Sequence, residues 1–123
     1  MNTKIRILVV DDDTMVQKVM GNFCKKIPEA DLTVAGDGLT AINIVTNDDK
    51  FDIIFMDTNM PGISGFEATS KIRLLEKGKD VQIIALSGDD VEKADLDKYG
   101  YNSYSHKPMP KKVFEGYISE IKK

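Results

Sequence analysis

The sequence predicts a doubly wound α/β fold, in which helices cover both faces of a parallel sheet, formed by a single domain over residues 1–123. Short apolar runs alternate with segments of helical periodicity, and five such pairs follow one another along the chain. The strongest runs lack the polar alternation of half-exposed strands, which is typical of parallel strands buried on both faces. Each strong run also ends abruptly at a polar residue, at the strand end where such sheets bind ligands.

The first two pairs occupy residues 5–47. An apolar run over residues 5–10 predicts the first strand, which ends at Asp11. Residues 32–35 predict a short second strand, and the turn 36–38 separates it from a second helix. The two helices are predicted by apolar stripes at helical spacing: Val16, Val19, Met20, Phe23 and Ile27 for the first, and Ala41, Ile42 and Val45 for the second.

The third pair begins with the run 51–56, which predicts a strand that ends at Asp57. A loop over residues 58–65 follows. Ser64 and Glu67 have the spacing of a capping box, in which the serine hydroxyl and the glutamate carboxylate each satisfy a free amide of the first turn. The apolar pattern then predicts a third helix that continues to Gly78.

The last two pairs are less regular. The run 81–86 predicts a fourth strand, which ends at Ser87, and residues 89–99 predict a helix with few apolar residues. A weak last strand over residues 102–105 precedes Lys107. A final helix is predicted by one apolar stripe: Val113, Phe114, Tyr117, Ile118 and Ile121.

Composition excludes several classes of protein. With 20 acidic and 17 basic residues, the net charge of −3 disfavours general binding to nucleic acid or an anionic membrane. A single cysteine cannot form an internal disulfide. The first apolar run is too short for a signal peptide or a membrane span. We therefore expect a cytoplasmic domain.

The acidic run after the first strand predicts a metal site. Asp11 and Asp12 repel each other unless a cation lies between them. Mg²⁺ suits one or two carboxylates together with waters and phosphate oxygens. Asp13 is better explained as the cap of the following helix.

Three further polar residues are expected at the same sheet edge. Asp57 follows a buried strand, and a carboxylate so placed can act as a nucleophile that forms an aspartyl-phosphate. Lys107 offers a compact positive charge for a phosphoryl oxygen, and Ser87 offers a hydroxyl. Each residue alone is unremarkable, and the prediction rests on their convergence with Asp12.

The ordered set of motifs resembles the receiver domain of two-component response regulators over essentially the whole chain. The resemblance implies the flavodoxin-like strand order 2-1-3-4-5. The residues that carry it are Asp11-Asp12 after an apolar strand, Asp57 within Met56-Asp57-Thr58-Asn59-Met60-Pro61, Ser87-Gly88 and Lys107-Pro108.

The resemblance also implies a role for each residue of the site. Asp57 is the expected phosphoacceptor. Asp12, Asp57 and the backbone carbonyl of Asn59 are expected to bind Mg²⁺ directly, while Asp11 holds a metal-bound water. Lys107 and Ser87 are expected to contact the phosphoryl oxygens.

The implied output is a conformational switch at Ser87 and Tyr104, with a cis peptide bond before Pro108. The expected function is to accept a phosphoryl group from a phosphohistidine on a histidine kinase or a histidine phosphotransfer protein. The face formed by the fourth helix, the last strand and the fifth helix would then bind an output protein or a second copy of the domain. Such a module is not a classified enzyme, since it catalyses only its own phosphorylation and slow dephosphorylation.

Two alternatives remain open at the level of sequence. In a phosphatase of the haloacid dehalogenase type, Asp11 and Asp13 would form the Asp-x-Asp motif, although Met15 stands where that motif usually has threonine. In a receiver-like binding module that acts without phosphorylation, the site residues would be incomplete, but here the set is intact. The sequence departs from the receiver pattern chiefly at Tyr101, where a small residue is frequent.

Overall fold

The computed structural model describes residues 4–122 as one five-stranded parallel sheet with helices on both faces. The strand order is β2-β1-β3-β4-β5, which confirms the predicted fold class and order. The strands are β1 (Ile5–Val10), β2 (Ala30–Ala35), β3 (Ile53–Asp57), β4 (Gln82–Ser87) and β5 (Ser103–His106). The helices are α1 (Thr14–Lys25), α2 (Gly38–Asn47), α3 (Gly65–Arg73), α4 (Lys93–Tyr99) and α5 (Lys111–Lys122).

Strand register brings the polar strand ends together. Asp57 pairs with Leu86 across β3 and β4, and Ser87 pairs with His106 across β4 and β5. Side chains of β1, β3 and β4 alternate between two apolar layers, one under α2, α3 and α4 and one under α1 and α5. Because these strands are buried on both faces, their carboxyl ends form a rigid edge for functional groups.

The third helix is shorter than predicted. It ends at Arg73, and a separate 3₁₀ turn follows at Glu76–Gly78. The Arg73 guanidinium donates to the carbonyls of Val81 at 2.7 Å and Gly100 at 2.8 Å, and these bonds draw the chain across the end of the helix. An ideal Cβ at Gly78 would lie 2.0 Å from the Ile72 carbonyl oxygen, so only glycine permits this close turn.

The fourth helix is also shorter than predicted, since it begins at Lys93 rather than at residue 89. The residues before it are engaged elsewhere: the Asp89 amide donates to the Ser87 hydroxyl at 3.1 Å, and the Asp90 carboxylate lies 3.0 Å from His106 Nε2. These contacts hold residues 88–92 as a loop. In α4 itself only Leu96 is buried, which agrees with its thin apolar pattern.

The helices of the described chain are short. The longest, α1 and α5, have 12 residues each. Between residues 4 and 122, no helix has the length and apolar character needed to cross a membrane.

Gly65 packs directly beneath the end of β3, and its replacement gives a test of this packing. An ideal Cβ at this position would lie 1.8 Å from the Asp57 carbonyl oxygen. We expect Gly65→Ala to lower the free energy of unfolding by about 2–3 kcal/mol in urea denaturation. The matched control is Gly116→Ala in α5, where the added methyl group meets open space. This control should raise stability by about 0.5–1 kcal/mol. If the two substitutions changed the free energy of unfolding equally, the close packing of Gly65 against β3 would be contradicted.

Candidate functional site

Three carboxylates converge at the carboxyl edge of the sheet. Asp11 and Asp12 follow β1, and Asp57 is the last residue of the neighbouring strand β3. One oxygen of each carboxylate lies within 4.8 Å of one oxygen of each of the others. Asp11 and Asp57 are 0% and 2% exposed, whereas Asp12 is exposed. The cluster is therefore anchored in the core and open to solvent on one side.

Lys107 is the cation of this cluster. Its ammonium lies 3.1 Å from Asp11 Oδ2 and 3.2 Å from Asp57 Oδ2. The side chain is positioned by the turn after β5, where the Lys107 amide donates to the Ser87 carbonyl and the bond to Pro108 is cis, as the resemblance implies. One lysine thus faces two buried carboxylates, and the sum of these three charges is negative.

The remaining carboxylate oxygens differ in how far they are satisfied. Asp11 Oδ1 accepts from the Asp13 amide at 2.9 Å, and Asp57 Oδ1 accepts from the Asn59 amide at 3.2 Å. Asp57 Oδ2 is buried and accepts no hydrogen bond within residues 4–122. Asp12 forms no hydrogen bond or ion pair with another described residue. Asp57 Oδ2 therefore has only the Lys107 ion pair, and the Asp12 carboxylate has no partner among the described residues.

The charges of the site shift two pKa values. Burial raises the pKa of the Asp57 carboxyl, and the charge of Asp11 adds to this; the Asn59 amide and Lys107 only partly offset it. Burial opposes the charge on Lys107, but the hydrogen bond to Asp11 and the charges of Asp57 and Asp11 outweigh it and raise the pKa of Lys107. In the folded chain Asp57 therefore holds a proton more readily than an isolated carboxylate does.

Ser87 and Tyr104 lie on the adjacent strands β4 and β5. The Ser87 hydroxyl accepts from the Asp89 amide, so it is held by the loop that leads to α4. The half-buried Tyr104 ring lies edge-on to the His106 ring, with 5.4 Å between centroids. His106 in turn pairs with Asp90 of the same loop. Ser87 is therefore bonded directly to the loop at residues 88–92, and Tyr104 is linked to the same loop through His106.

Asp13 lies outside the carboxylate cluster. Its side chain caps α1 by accepting from the Met15 amide at 2.8 Å, as predicted. The Ser64 cap of α3 is also present, since its hydroxyl accepts from the Glu67 amide at 3.1 Å. Because Asp13 serves as a cap, the pair Asp11 and Asp13 does not form the two-carboxylate site that the hydrolase alternative requires.

Two features of the site were missed by the sequence analysis. The first is a small apolar cavity of about 60 Å³ beside Lys107, on the α1 side, with the 63% exposed Met15 in its wall. The second is Tyr101, which is buried under the end of β3 with its hydroxyl 3.4 Å from the Met56 carbonyl oxygen. Met15 is an apolar residue outside the apolar stripe of α1, and Tyr101 stands where receiver domains frequently have a small residue; these were the available signals.

Comparison with known proteins identifies the family. Residues 7–118 match the response regulator receiver domain. A chemotaxis protein CheY homologue of Campylobacter jejuni is 27% identical over 119 residues, which cover 95% of this chain and 92% of the homologue.

Solved structures give the same result. The receiver domain of sensor histidine kinase PA1611 from Pseudomonas aeruginosa, which has a magnesium ion in its active-site cleft, matches with a TM-score of 0.86 at 27% identity over 98% of this chain and 100% of that chain. The receiver domain of Saccharomyces cerevisiae Ssk1, crystallised with the histidine phosphotransfer protein Ypd1, matches with a TM-score of 0.84 at 30% identity over 98% and 90%. With the family match over residues 7–118, these similarities show that the chain belongs to the response regulator receiver domains of two-component signalling.

Proposed function

We propose that this receiver domain accepts a phosphoryl group on Asp57 from a phosphohistidine of a partner protein. The observation that carries the proposal is Asp57 Oδ2, a buried carboxylate oxygen that accepts no hydrogen bond and lies beside the Lys107 ammonium. In the reaction, this oxygen attacks phosphorus, the new P–O bond replaces the P–N bond to the imidazole, and the imidazole leaves with the bonding electron pair. The product is an acyl phosphate on Asp57.

Lys107 has a defined part in this reaction. Its ammonium already lies within 3.2 Å of Asp57 Oδ2, so it can neutralise phosphoryl oxygens as their charge shifts. The raised pKa keeps it protonated at neutral pH. The Ser87 hydroxyl, on the neighbouring strand end, is the hydrogen-bond donor that we assign to a phosphoryl oxygen.

The chain's own oxygens fit a magnesium ion. Asp12, whose carboxylate has no partner in the described chain, forms with Asp11 and Asp57 a cluster of hard oxygen ligands of the kind that Mg²⁺ prefers. We assign Asp12, Asp57 and the Asn59 carbonyl as direct ligands. Asp11, whose two oxygens already face Asp13 and Lys107, acts through water. When bound, the ion supplies positive charge against the phosphoryl oxygens.

A small phosphodonor tests the proposed function. Incubation with acetyl phosphate and Mg²⁺ should give a mass increase of one phosphoryl group that is lost on treatment with hydroxylamine. Release of phosphate without a mass increase would favour a hydrolase, and absence of both would favour the binding module. We expect only the first outcome, with self-limited turnover, and therefore do not class the domain as an enzyme. We also propose that the domain acts in the cytoplasm, where we expect its phosphohistidine donors.

We propose that the phosphohistidine donor approaches Asp57 from the side of the cavity beside Lys107. The donor imidazole must reach Asp57 Oδ2, so its carrier must contact the surface around the site. The α1 side of that surface is apolar, with Met15 exposed next to Lys107 and Met109. A carrier protein with an apolar face around its phosphohistidine is complementary to this surface. In the related Ssk1 structure the receiver domain is likewise bound to a histidine phosphotransfer protein.

Met15→Glu tests this approach. The residue is exposed and lies in the first turn of α1, where an acidic side chain is favourable, so the fold should be unaffected. We expect transfer from a phosphorylated histidine phosphotransfer protein that serves the wild-type chain to slow about tenfold. The rate with acetyl phosphate should not change. Leu74→Glu, at an 83% exposed position after α3, is the control. An equal slowing of transfer with Leu74→Glu, or no slowing with Met15→Glu, would contradict the proposed approach of the donor.

The output is assigned to the face formed by α4, β5 and α5. Phosphorylation adds nearly two negative charges at Asp57 and draws the Ser87 hydroxyl toward them, away from the Asp89 amide. The loop 88–92 is then released, and Tyr104 turns toward the space beneath α4. A partner protein or a second copy would bind this face preferentially after phosphorylation.

Amide NMR with and without beryllofluoride, in the presence of Mg²⁺, tests this output. We expect large shift changes over residues 87–108, because the Ser87 hydroxyl leaves the Asp89 amide. Changes confined to residues 57–65 would contradict the switch.

A further inference from the structure

We propose that Tyr101 is a positioning residue for the phosphoacceptor: its hydroxyl braces the end of β3 under Asp57, and its ring links that strand end to α4. The inference rests on the proposed function, because it concerns the reaction at Asp57. Tyr101 itself does not belong to the group of residues that faces the phosphoryl oxygens.

The first observation is the packing beneath Asp57. Tyr101 is 4% exposed, and its hydroxyl donates a long hydrogen bond to the Met56 carbonyl at 3.4 Å. An ideal Cβ at Gly65 would lie 2.7 Å from the same hydroxyl and 1.8 Å from the Asp57 carbonyl oxygen. The hydroxyl and the Asp57 carbonyl therefore both lie close to the start of α3, and the absence of a side chain at Gly65 is what admits the phenol.

The second observation is electrostatic. Burial raises the pKa of the Tyr101 phenol; a hydrogen bond with Thr69 lowers it by less, and the charge of Asp57 raises it further. Burial thus disfavours loss of the phenol proton, so the hydroxyl remains a hydrogen-bond donor to the backbone of β3.

The third observation is an aromatic path to α4. The Tyr101 ring lies edge-on to Phe66 of α3, with 5.6 Å between centroids and an interplanar angle of 89°. Phe66 packs against Tyr99 of α4 at 5.1 Å. Edge-to-face contacts of this kind favour one relative orientation of the rings. The path connects β3 to the last turn of α4, whereas Ser87 and the loop 88–92 lead to its first turn.

The two connections act on opposite ends of α4. Gly100, which follows the helix, is tied to Arg73 by a hydrogen bond of 2.8 Å to its carbonyl. Together with the Tyr101 ring, this contact fixes the carboxyl end of α4. The amino end lacks a side-chain cap at Glu92. We therefore expect α4 to pivot about its last turn when Asp57 is phosphorylated.

The test is Tyr101→Phe, which removes the hydroxyl and keeps the ring. Loss of one hydrogen bond that positions Asp57 is expected to slow phosphorylation by acetyl phosphate about threefold to tenfold, and to weaken Mg²⁺-dependent beryllofluoride binding by a similar factor. The matched control is Tyr117→Phe in α5, which removes a hydroxyl that lies 2.7 Å from Ser103 Oγ. The control should leave both quantities unchanged, although it too loses a hydrogen bond.

The outcomes separate this inference from the proposed function. If the wild-type chain is phosphorylated and Tyr101→Phe reacts at the wild-type rate, or if Tyr117→Phe slows the reaction equally, the positioning role is wrong while the proposed function stands. If the wild-type chain is not phosphorylated at all, the proposed function fails first.

Tyr101→Leu adds a test of the ring: hydrogen exchange at amides 96–101 should accelerate in this variant and not in Tyr101→Phe. Equal exchange in both variants would exclude the link to α4.

Discussion

Asp57→Asn is expected to abolish phosphorylation by acetyl phosphate and by a phosphohistidine donor. The amide oxygen of asparagine is a poor nucleophile. It can still accept the hydrogen bond that the Asn59 amide donates to Asp57 Oδ1 in the wild-type chain. The loss should therefore occur in a folded protein. Mass spectrometry of the intact chain measures it directly. Asp37→Asn is the control, because Asp37 is a half-buried cap of α2 that is not part of the carboxylate cluster, and asparagine caps helices about as well.

The same variant should be more stable than the wild-type chain in the absence of Mg²⁺. Removing one of two buried carboxylates leaves Asp11 and Lys107 as a balanced pair, which is expected to raise the free energy of unfolding at neutral pH by about 1–2 kcal/mol. Phosphorylation at Asp11 or another aspartate in the variant would contradict the assignment of Asp57. A loss of stability would contradict the charge argument.

The pH dependence follows from the direction of the Asp57 shift. Because burial raises the pKa of Asp57 in the folded protein, the folded state binds a proton there more tightly than the unfolded state does. The resulting stability is fully present below the unfolded pKa and is lost as pH rises through the folded pKa. Urea denaturation across this range, without Mg²⁺, should show the loss in the wild-type chain, and Asp57→Asn should remove it.

Mg²⁺ is expected to stabilise the wild-type chain, and Asp12→Asn to remove most of that stabilisation. The cation offsets the repulsion among three clustered carboxylates, of which Asp12 offers the exposed approach. At a free concentration about ten times the dissociation constant, mass action stabilises the fold by about 1.4 kcal/mol, or several degrees in Tm. Differential scanning calorimetry with and without Mg²⁺ measures the shift.

Asp13→Asn is the matched control for this experiment. Asp13 is the next residue in the chain and is also exposed, but its carboxylate caps α1 and is not part of the cluster. Asparagine caps helices about as well as aspartate, so both stability and the Mg²⁺ shift should be close to wild type. If Asp13→Asn loses the shift and Asp12→Asn keeps it, the ligand assignment is wrong.

Most of the site was predictable because a parallel sheet places its strand ends along one edge. Once the runs before Asp11, Asp57 and Ser87 are recognised as buried strands, their carboxyl ends must meet. The resemblance to receiver domains supplied the roles and the strand order. Helix ends were less predictable. The apolar pattern of α3 continues past Arg73, and only the bonds from its guanidinium to distant carbonyls explain where the helix ends.

The part that sequence did not predict depends on packing between distant elements. Nothing local to Tyr101 indicates that its hydroxyl reaches Met56, 45 residues earlier, because that contact exists only where Gly65 leaves room. Asp11 and Asp12 are likewise neighbours of the same type, yet one is fully buried and the other exposed. They differ in exposure because the Asp11 carboxylate, at the end of β1, packs against Lys107, a residue 96 positions later.

The exposure of α4 has a consequence for how signalling specificity can change. Of the seven residues in the helix, only Leu96 is buried and Tyr99 packs on Phe66, so substitutions at the other five alter the surface at little cost in stability. The groups to which we assign phosphoryl transfer belong to the strand ends and do not share these positions. The proposed output surface can therefore change by natural drift or by engineering, and so alter which protein binds it, while the chemistry proposed for the strand ends is retained.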